Sequence, residues 1–451
     1  MSMLKKVLLV IFFNQLIWLS AIPYNFAPDE FGHFDVINRW VSTGNYPQFL
    51  KDPPDGLSRQ NGMVGVSYSA LQPLPYIWSG LPLMFTKNFL DQKHWYLYVR
   101  LGSALATVIF ASGIYWWLNK ASPHQRYKWV GVVIAGFIPQ VSFIGAYVTS
   151  DSPTLAVSVW ITAAALTGIT NPFIWGALIG IGLLSRYNTY PLIAILSLMV
   201  AWKWFRQGKF KEIVISTLLA VLLSGWWFLR NWLTLGDILA VRKFYEVLYQ
   251  IRAFEFHHYG IWQMLNTTSW LEITGKSAFA AFDWNYLFLP NWVYSLVLVV
   301  VTIGLGSLII NKKLNFWLTI AFALTVYQSL AQSAYGSYQP QGRHMFAILP
   351  AVLFYLWAGW TKLKFEKKLG LSIALGTVAV NIYSLLEIII PRYYGQGMEL
   401  TGISLYRQAF WEMVFHRPFP FNSFGLGVII VVWVFLLSQL VLDLSREFRL
   451  K

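Results

Sequence analysis

The chain has 451 residues, 57% hydrophobic, 18% aromatic and only 12% charged, against about 25% charged in average soluble domains, which excludes a soluble enzyme and indicates a protein solvated by lipid. The absence of cysteine excludes disulfides, thiolate nucleophiles and Cys-ligated zinc or iron–sulfur sites. The net charge of +15 does not signal nucleic acid, because the 34 Lys and Arg are spread thinly between apolar runs instead of gathering on one face.

A membrane span needs about 20 mostly apolar residues. In chain order such runs cover 4–22, 96–118, 129–148, 152–168, 188–204, 213–235, 291–311, 314–332, 344–361, 369–390 and 424–443, with a shorter one at 173–186. They predict an all-α polytopic membrane protein with about 12 transmembrane helices. Residues 73–86 carry Pro73, Pro75 and Pro82 and are read as a half-buried external segment. That choice leaves Lys120, Arg126 and Lys128 inside, as the positive-inside rule prefers. The predicted inner pieces then hold 18 cations against four anions, and the outer side 16 cations against 15 anions. Lys5 and Lys6 before an apolar stretch ending at Ser20 and Ala21 also describe a signal peptide. Retention is the preferred reading, since loss of the first span reverses or strains the charge topology.

The inner loops are short and basic, whereas the outer ones are long, at 23–95, 236–290, 333–343 and 391–423. Long loops in a compact protein usually bind or catalyse, and three of these are dense in aromatic residues, which suits interfacial helices. After the first span, Phe31, Phe34, Ile37 and Val41 recur at helical spacing and predict a short amphipathic helix over 30–42, lying on the membrane. Asp29 and Glu30 start it. They read either as an N-cap and a dipole-complementing acid, or as a carboxylate pair that serves as general base or holds a divalent cation. His33, one turn on, joins either role or is a solvated interfacial histidine.

Asp151 in TSDSP likewise reads as a helix cap or as a second acid facing Asp29 across a cavity. Arg186, Arg230 and Arg343 share the same predicted boundary. Snorkelling accounts for each singly; three beside two acidic sites also fit a phosphate or pyrophosphate leaving group. Glu30 with His33, and Glu255 with His258, match the Glu-x-x-His spacing of di-iron bundles, but the further inward glutamates such sites need are missing. Asn266-Thr267-Thr268 is a glycosylation sequon that matters only in a eukaryotic secretory context.

Six segments in order, PDEFGHF, LQPLPYIW, TSDSP, SRYNTYP, GWWFLRNWLTLGD and QGRHMFAILPA, resemble the C-type glycosyltransferase (GT-C) superfamily. Its members are polytopic enzymes that take sugars from polyprenyl-phosphate carriers, among them protein O-mannosyltransferases and lipid A aminoarabinose transferases. His344 stands where that family usually has Tyr. The resemblance implies one integral membrane glycosyltransferase domain over 1–451, with extracytoplasmic interfacial helices, that performs an inverting transfer. It assigns Asp29 as the base. Glu30 orients the acceptor or, with Asp29 and Asp151, holds an optional divalent cation. Asp151 also positions the acceptor, while Arg343, Arg230 and Arg186 neutralise the lipid phosphate. Gln72 and Tyr76 line the sugar pocket, with His33 and His344 nearby.

The implied partners are a polyprenyl-phosphate sugar donor, a glycan, lipid or protein acceptor and membrane lipids, at a site outside a prokaryotic plasma membrane. The short inner loops have no glycine-rich phosphate loop and no room for a nucleotide domain, which agrees with a lipid-linked donor. A membrane polysaccharide polymerase or ligase is the rival enzyme reading. A transporter is the rival outside catalysis, though its ionisable groups are expected near the bilayer midplane.

Overall fold

In hydrocarbon every backbone N–H and C=O must be paired within the protein, which makes helix the outcome for a long apolar run. The computed structural model describes residues 2–49, 51–52, 67–121, 128–251, 260–311, 314–363, 366–395 and 402–449, and it is built from helices. Among the described residues the single sheet is a two-stranded antiparallel hairpin, Ala281–Phe282 against Leu287–Phe288.

The chain runs through α1 (Met3–Ala21), α2 (Glu30–Thr43), α3 (Leu74–Thr86), α4 (Trp95–Ala121), α5 (Lys128–Phe137), α6 (Pro139–Ile144), α7 (Asp151–Thr167), α8 (Pro172–Leu183), α9 (Tyr190–Arg206) and α10 (Phe210–Leu235). It continues with α11 (Val241–Ile251), α12 (Ile261–Thr267), α13 (Trp270–Phe279), α14 (Asn291–Ile310), α15 (Phe316–Tyr335), α16 (Leu349–Trp360), α17 (Glu366–Tyr383), α18 (Ile390–Tyr394), α19 (Ile403–Val414) and α20 (Ser423–Arg449). Six helical stretches among the described residues are long and apolar enough to cross a membrane: Met3–Ala21, Gln92–Ala121, Phe210–Leu235, Asn291–Ile310, Glu366–Tyr394 and Ser423–Arg446. The remaining expected spans are helices that are shorter or more polar. In α7 the extra polarity is internal: Thr154 and Thr162 are buried and donate to Ser150 O (2.7 Å) and Ser158 O (2.8 Å) of their own turns.

One expected span divides. Residues 129–148 form α5 and α6, because Pro139 has no N–H to continue the ladder and instead opens α6. Beyond Ile144 the chain leaves the helix and crosses to α7 through residues 145–150. Phe137 O, at the break, accepts from Asn381 Nδ2 at 3.0 Å. Asn381 also donates to Ser142 Oγ at 2.7 Å and accepts from Trp18 Nε1 at 3.0 Å, tying α1, α5, α6 and α17 together inside the bundle.

Elsewhere, α1 lies against α4 and α20, α7 against α4, and α8 against α10. Lys6 pairs with Asp443 between α1 and α20. At the α14–α16 crossing a methyl on Gly359 would overlap the Gly304 carbonyl, so glycine is what lets these backbones touch. The amphipathic α2 forms as its spacing predicts and ends at Gly44, φ 75°. Its apolar stripe has a different destination from the expected membrane surface. Phe31, Phe34, Ile37 and Val41 are all buried in protein, with α3 as the main helical neighbour, because residues 73–86 coil into a helix despite Pro82.

Candidate active site

The site is anchored at the end of α1. Arg100 of α4 is fully buried, so its guanidinium needs partners on every side. Nη1 donates to Leu19 O at 2.8 Å and Ile22 O at 2.6 Å, neutralising the C-terminal carbonyls of α1. Nε and Nη2 meet the two carboxylate oxygens of Glu30 at 2.6 and 2.7 Å. Glu30 accepts two more bonds, from the backbone N–H of Asn25 (2.9 Å) and of Val148 (3.2 Å). Glu30 therefore does not stand at the expected reacting centre. It is a fully buried clamp that joins α1, α2, α4 and the crossing before α7.

Asp29 precedes that clamp with φ 61°, in the left-handed region. A side chain there costs about 1–2 kcal/mol, least for Asp and Asn. Asp29 occupies the N-cap position of α2 but makes no side-chain capping bond. Its carboxylate turns to Arg343 instead, Oδ2 lying 3.4 Å from Nη2. Arg343 is held by Gln341 Oε1, which accepts from Nε at 2.6 Å, and by the Tyr147 hydroxyl, which accepts from Nη1 at 3.0 Å. The same Nη1 lies 3.7 Å from Asp151 Oδ2.

Asp151 is the first residue of α7, and there too the capping reading gives way to ion pairing. Arg186 pairs with it directly, and the Thr149 hydroxyl donates to it at 3.2 Å. Arg343 thus bridges the two aspartates while Arg186 flanks the second. The expected cation-binding trio of Asp29, Glu30 and Asp151 does not assemble, since Glu30 is bound to Arg100 and both aspartates face guanidiniums. No group of three or more His, Asp or Glu is arranged to hold a metal ion among the described residues. The donor set does not fit a divalent cation. Glu30 and His33, both on α2, likewise part company, and Glu255 and His258 lie outside the described residues.

Gly342 places Arg343. Its backbone runs so close to α13 that a methyl would collide with Ala278 N and Thr274 O, and its N–H donates to Ser277 Oγ at 2.8 Å. These groups open onto one cavity of about 530 Å³. Asp29, His33, Gln72, Asp151, Arg186, Arg343 and His344 line it; Glu30, Tyr76 and Arg230 do not. Tyr76 supports the wall from behind, its hydroxyl 3.0 Å from His33 Nδ1. Burial pushes His33 down to about 3, with Asp29 opposing and Arg186 and Arg343 assisting, so its ring is neutral at pH 7. His344 is buried, and its backbone oxygen accepts from Asn188 Nδ2 at 2.9 Å. Arg230 bonds Pro47 O at 3.0 Å and lies over the rings of Trp227 (4.7 Å) and Tyr46 (5.6 Å), away from the other two arginines.

Sequence reading missed Arg100, Tyr147 and a neutral wall that includes Tyr68, Tyr245, Gln332 and Gln341. Arg100 carried a readable signal, a lone charge in an apolar run. Tyr147 and the wall carried none, because their roles depend on the bend after α6 and on the meeting of distant loops.

No protein-family model matches the chain, and no curated protein sequence matches it. Among solved structures, ArnT from Cupriavidus metallidurans bound to undecaprenyl phosphate has a similar fold, with a TM-score of 0.52 over 98% of this chain and 73% of that one at 13% identity. The same protein in the apo state also gives 0.52 at 13% identity, covering 95% of this chain and 71% of that one. The likeness is one of fold. At that level the all-α polytopic class is borne out.

Proposed function

We propose that the protein is an inverting glycosyltransferase that moves a sugar from a polyprenyl-phosphate donor to an acceptor hydroxyl on the outer face of the membrane. The observation that carries this reading is Asp29 itself: a carboxylate held in a costly left-handed conformation, unused for capping, facing Arg343 in a cavity. Strain of this kind persists only where the surrounding structure enforces it, and it gathers at functional sites. The likeness in fold to a protein solved with undecaprenyl phosphate supports the choice of donor.

In the proposed reaction Asp29 takes the proton of the acceptor hydroxyl as its oxygen attacks the anomeric carbon. The bond from that carbon to the phosphate oxygen breaks on the opposite face, and the departing phosphate keeps the electron pair. Arg343 and Arg186 meet the charge that develops there, a preorganised electrostatic role. Asp151 keeps both guanidiniums in place. Glu30 acts through position: bound to Arg100, it fixes the backbone on which Asp29 stands. No step passes through a metal ion, since the positive charge beside the two aspartates is guanidinium.

The test is glycan analysis of the cell envelope in a strain lacking the protein, complemented with wild type or with Asp29→Asn. Wild type restores the missing sugar, and the variant, inserted at equal abundance, does not. Restoration by Asp29→Asn would sink the assignment of the base.

A further inference from the structure

The two-stranded hairpin is closed by the turn Asp283-Trp284-Asn285-Tyr286. Asp283 and Asn285 both take left-handed φ, 56° and 64°, which Asp and Asn tolerate best after glycine. Trp284 and Tyr286 alternate with them, and both line the cavity. Tyr286 is 78% exposed, and neither ring pairs with another aromatic ring among the described residues.

Below its tip the hairpin is fixed at several points. The Tyr294 hydroxyl of α14 donates to Ala280 O at 2.6 Å and accepts from Leu289 N–H at 2.9 Å, holding both ends of the hairpin. Ala281 N–H donates to Gln140 Oε1 of α6 at 2.6 Å, and the fully buried Phe282 packs against Trp18 and Phe143. Asp283 pairs with Arg392 of α18 at 3.2 Å, and the next residue, Tyr393, meets the ring of Phe26 at 5.4 Å. Helix α18 thereby ties the turn to the segment that carries Asp29 three residues on.

We infer that Trp284 and Tyr286 form the acceptor subsite, and that the acceptor is a saccharide whose ring stacks on them while one of its hydroxyls meets Asp29. The inference rests on the proposed transfer reaction and names its acceptor class. Aromatic residues of a membrane protein commonly form a belt against lipid headgroups; these two line the cavity of the proposed base instead. A pyranose has a flat face of polarised C–H bonds, which the negative face of an aromatic ring attracts, and hydroxyls around its edge. Ser337 and Gln339 on the same lining suit a hydroxylated ring better than a prenyl chain. A peptide gains main-chain affinity by adding a strand, and a hairpin of two residues per strand offers too short an edge. A glycerol has no flat face to stack. At about 530 Å³ the cavity has room for a second sugar ring beside the transferred one.

Two experiments test this. The first is linkage analysis of envelope glycans from the wild-type strain and from a strain lacking the protein. The sugar missing from the deletion strain is joined, in wild type, to a hydroxyl oxygen of another sugar. Its attachment to a protein side chain, a glycerol or a phosphate overturns the inference and leaves the donor proposal standing, and loss of no glycan at all overturns both. The second reconstitutes full-length protein in nanodiscs, with the lipid extract of the deletion strain as donor and its envelope glycan fraction as acceptor. In Trp284→Leu and Tyr286→Ser the apparent KM for the acceptor fraction rises about three- to tenfold while that for the donor extract is unchanged. Trp284→Phe, which keeps a ring face, stays close to wild type. An unchanged acceptor KM, or a rise in the donor KM, overturns the subsite. A variant that misfolds shows no turnover at any concentration of either substrate, and the linkage result then decides alone.

Discussion

Asp29 has two separable properties, a charge and a left-handed backbone, and substitutions pull them apart. Asp29→Asn keeps a residue type that tolerates φ 61° and removes the charge, so transfer is lost with little change in stability. Asp29→Ala loses transfer as well and unfolds more easily by about 1 kcal/mol, whereas Asp29→Gly recovers that difference. Thermal unfolding of the purified variants checks the order; equal stability of Ala and Gly would refute strain at this position. His33 makes a pH prediction. Its pKa falls from 6.5 in the unfolded chain to about 3 in the fold, so between these values the unfolded state binds more protons. The contribution of His33 is therefore fully present above about pH 6.5 and is lost as pH falls towards 3. His33→Asn flattens this acid-side slope in melting temperature against pH, and an unchanged slope would assign it to other groups.

At the scale of elements, the Glu30–Arg100 clamp joins four segments, and its value shows when one partner is removed. Arg100→Gln leaves the Glu30 carboxylate buried without its counter-charge, with only the N–H groups of Asn25 and Val148, and costs about 3–5 kcal/mol. Glu30→Gln with Arg100→Gln costs less than the sum of the single changes, since neither uncompensated charge remains. A double-mutant cycle by denaturant unfolding measures the coupling, and strict additivity would show the pair to be energetically independent. Gly342→Ala probes the seam against α13. The new methyl forces the backbone at residue 342 and α13 apart at Ala278, so Arg343 shifts relative to Asp29 and transfer falls about a hundredfold, as small displacements in a site do. Gly306→Ala, at a position open on its Cβ side, serves as the control and leaves transfer intact.

For the whole molecule, charge asymmetry predicts orientation, and the absence of cysteine gives a clean assay. A single Ser337→Cys, at the cavity, reacts with an impermeant maleimide on intact cells, whereas Lys209→Cys, between α9 and α10, reacts only after permeabilisation. The opposite pattern would invert the proposed topology and with it the need for a lipid-linked donor.

Hydropathy and punctuation were enough to read the helices, because a lipid solvent leaves long apolar runs no other conformation. The local spacing after α1 was likewise enough for α2, and charge bookkeeping pointed to the long loops, three of which supply most of the cavity wall. Reading residues Asp29 and Asp151 as special was possible from their positions at helix starts, but the capping alternative was equally consistent with those positions. Only the fold separated the two, by turning both carboxylates to Arg343 and leaving the caps unmade. The fate of Glu30 was beyond the sequence for the same reason: its neighbour in the chain is Asp29, but its partner in space is Arg100, 70 residues away. Composition and periodicity act over one or two turns, so they determined which segments are helical and where polar chemistry is concentrated. Which carboxylate opens onto the cavity and which is buried in a clamp depends on contacts between distant segments, and tertiary structure alone decided it.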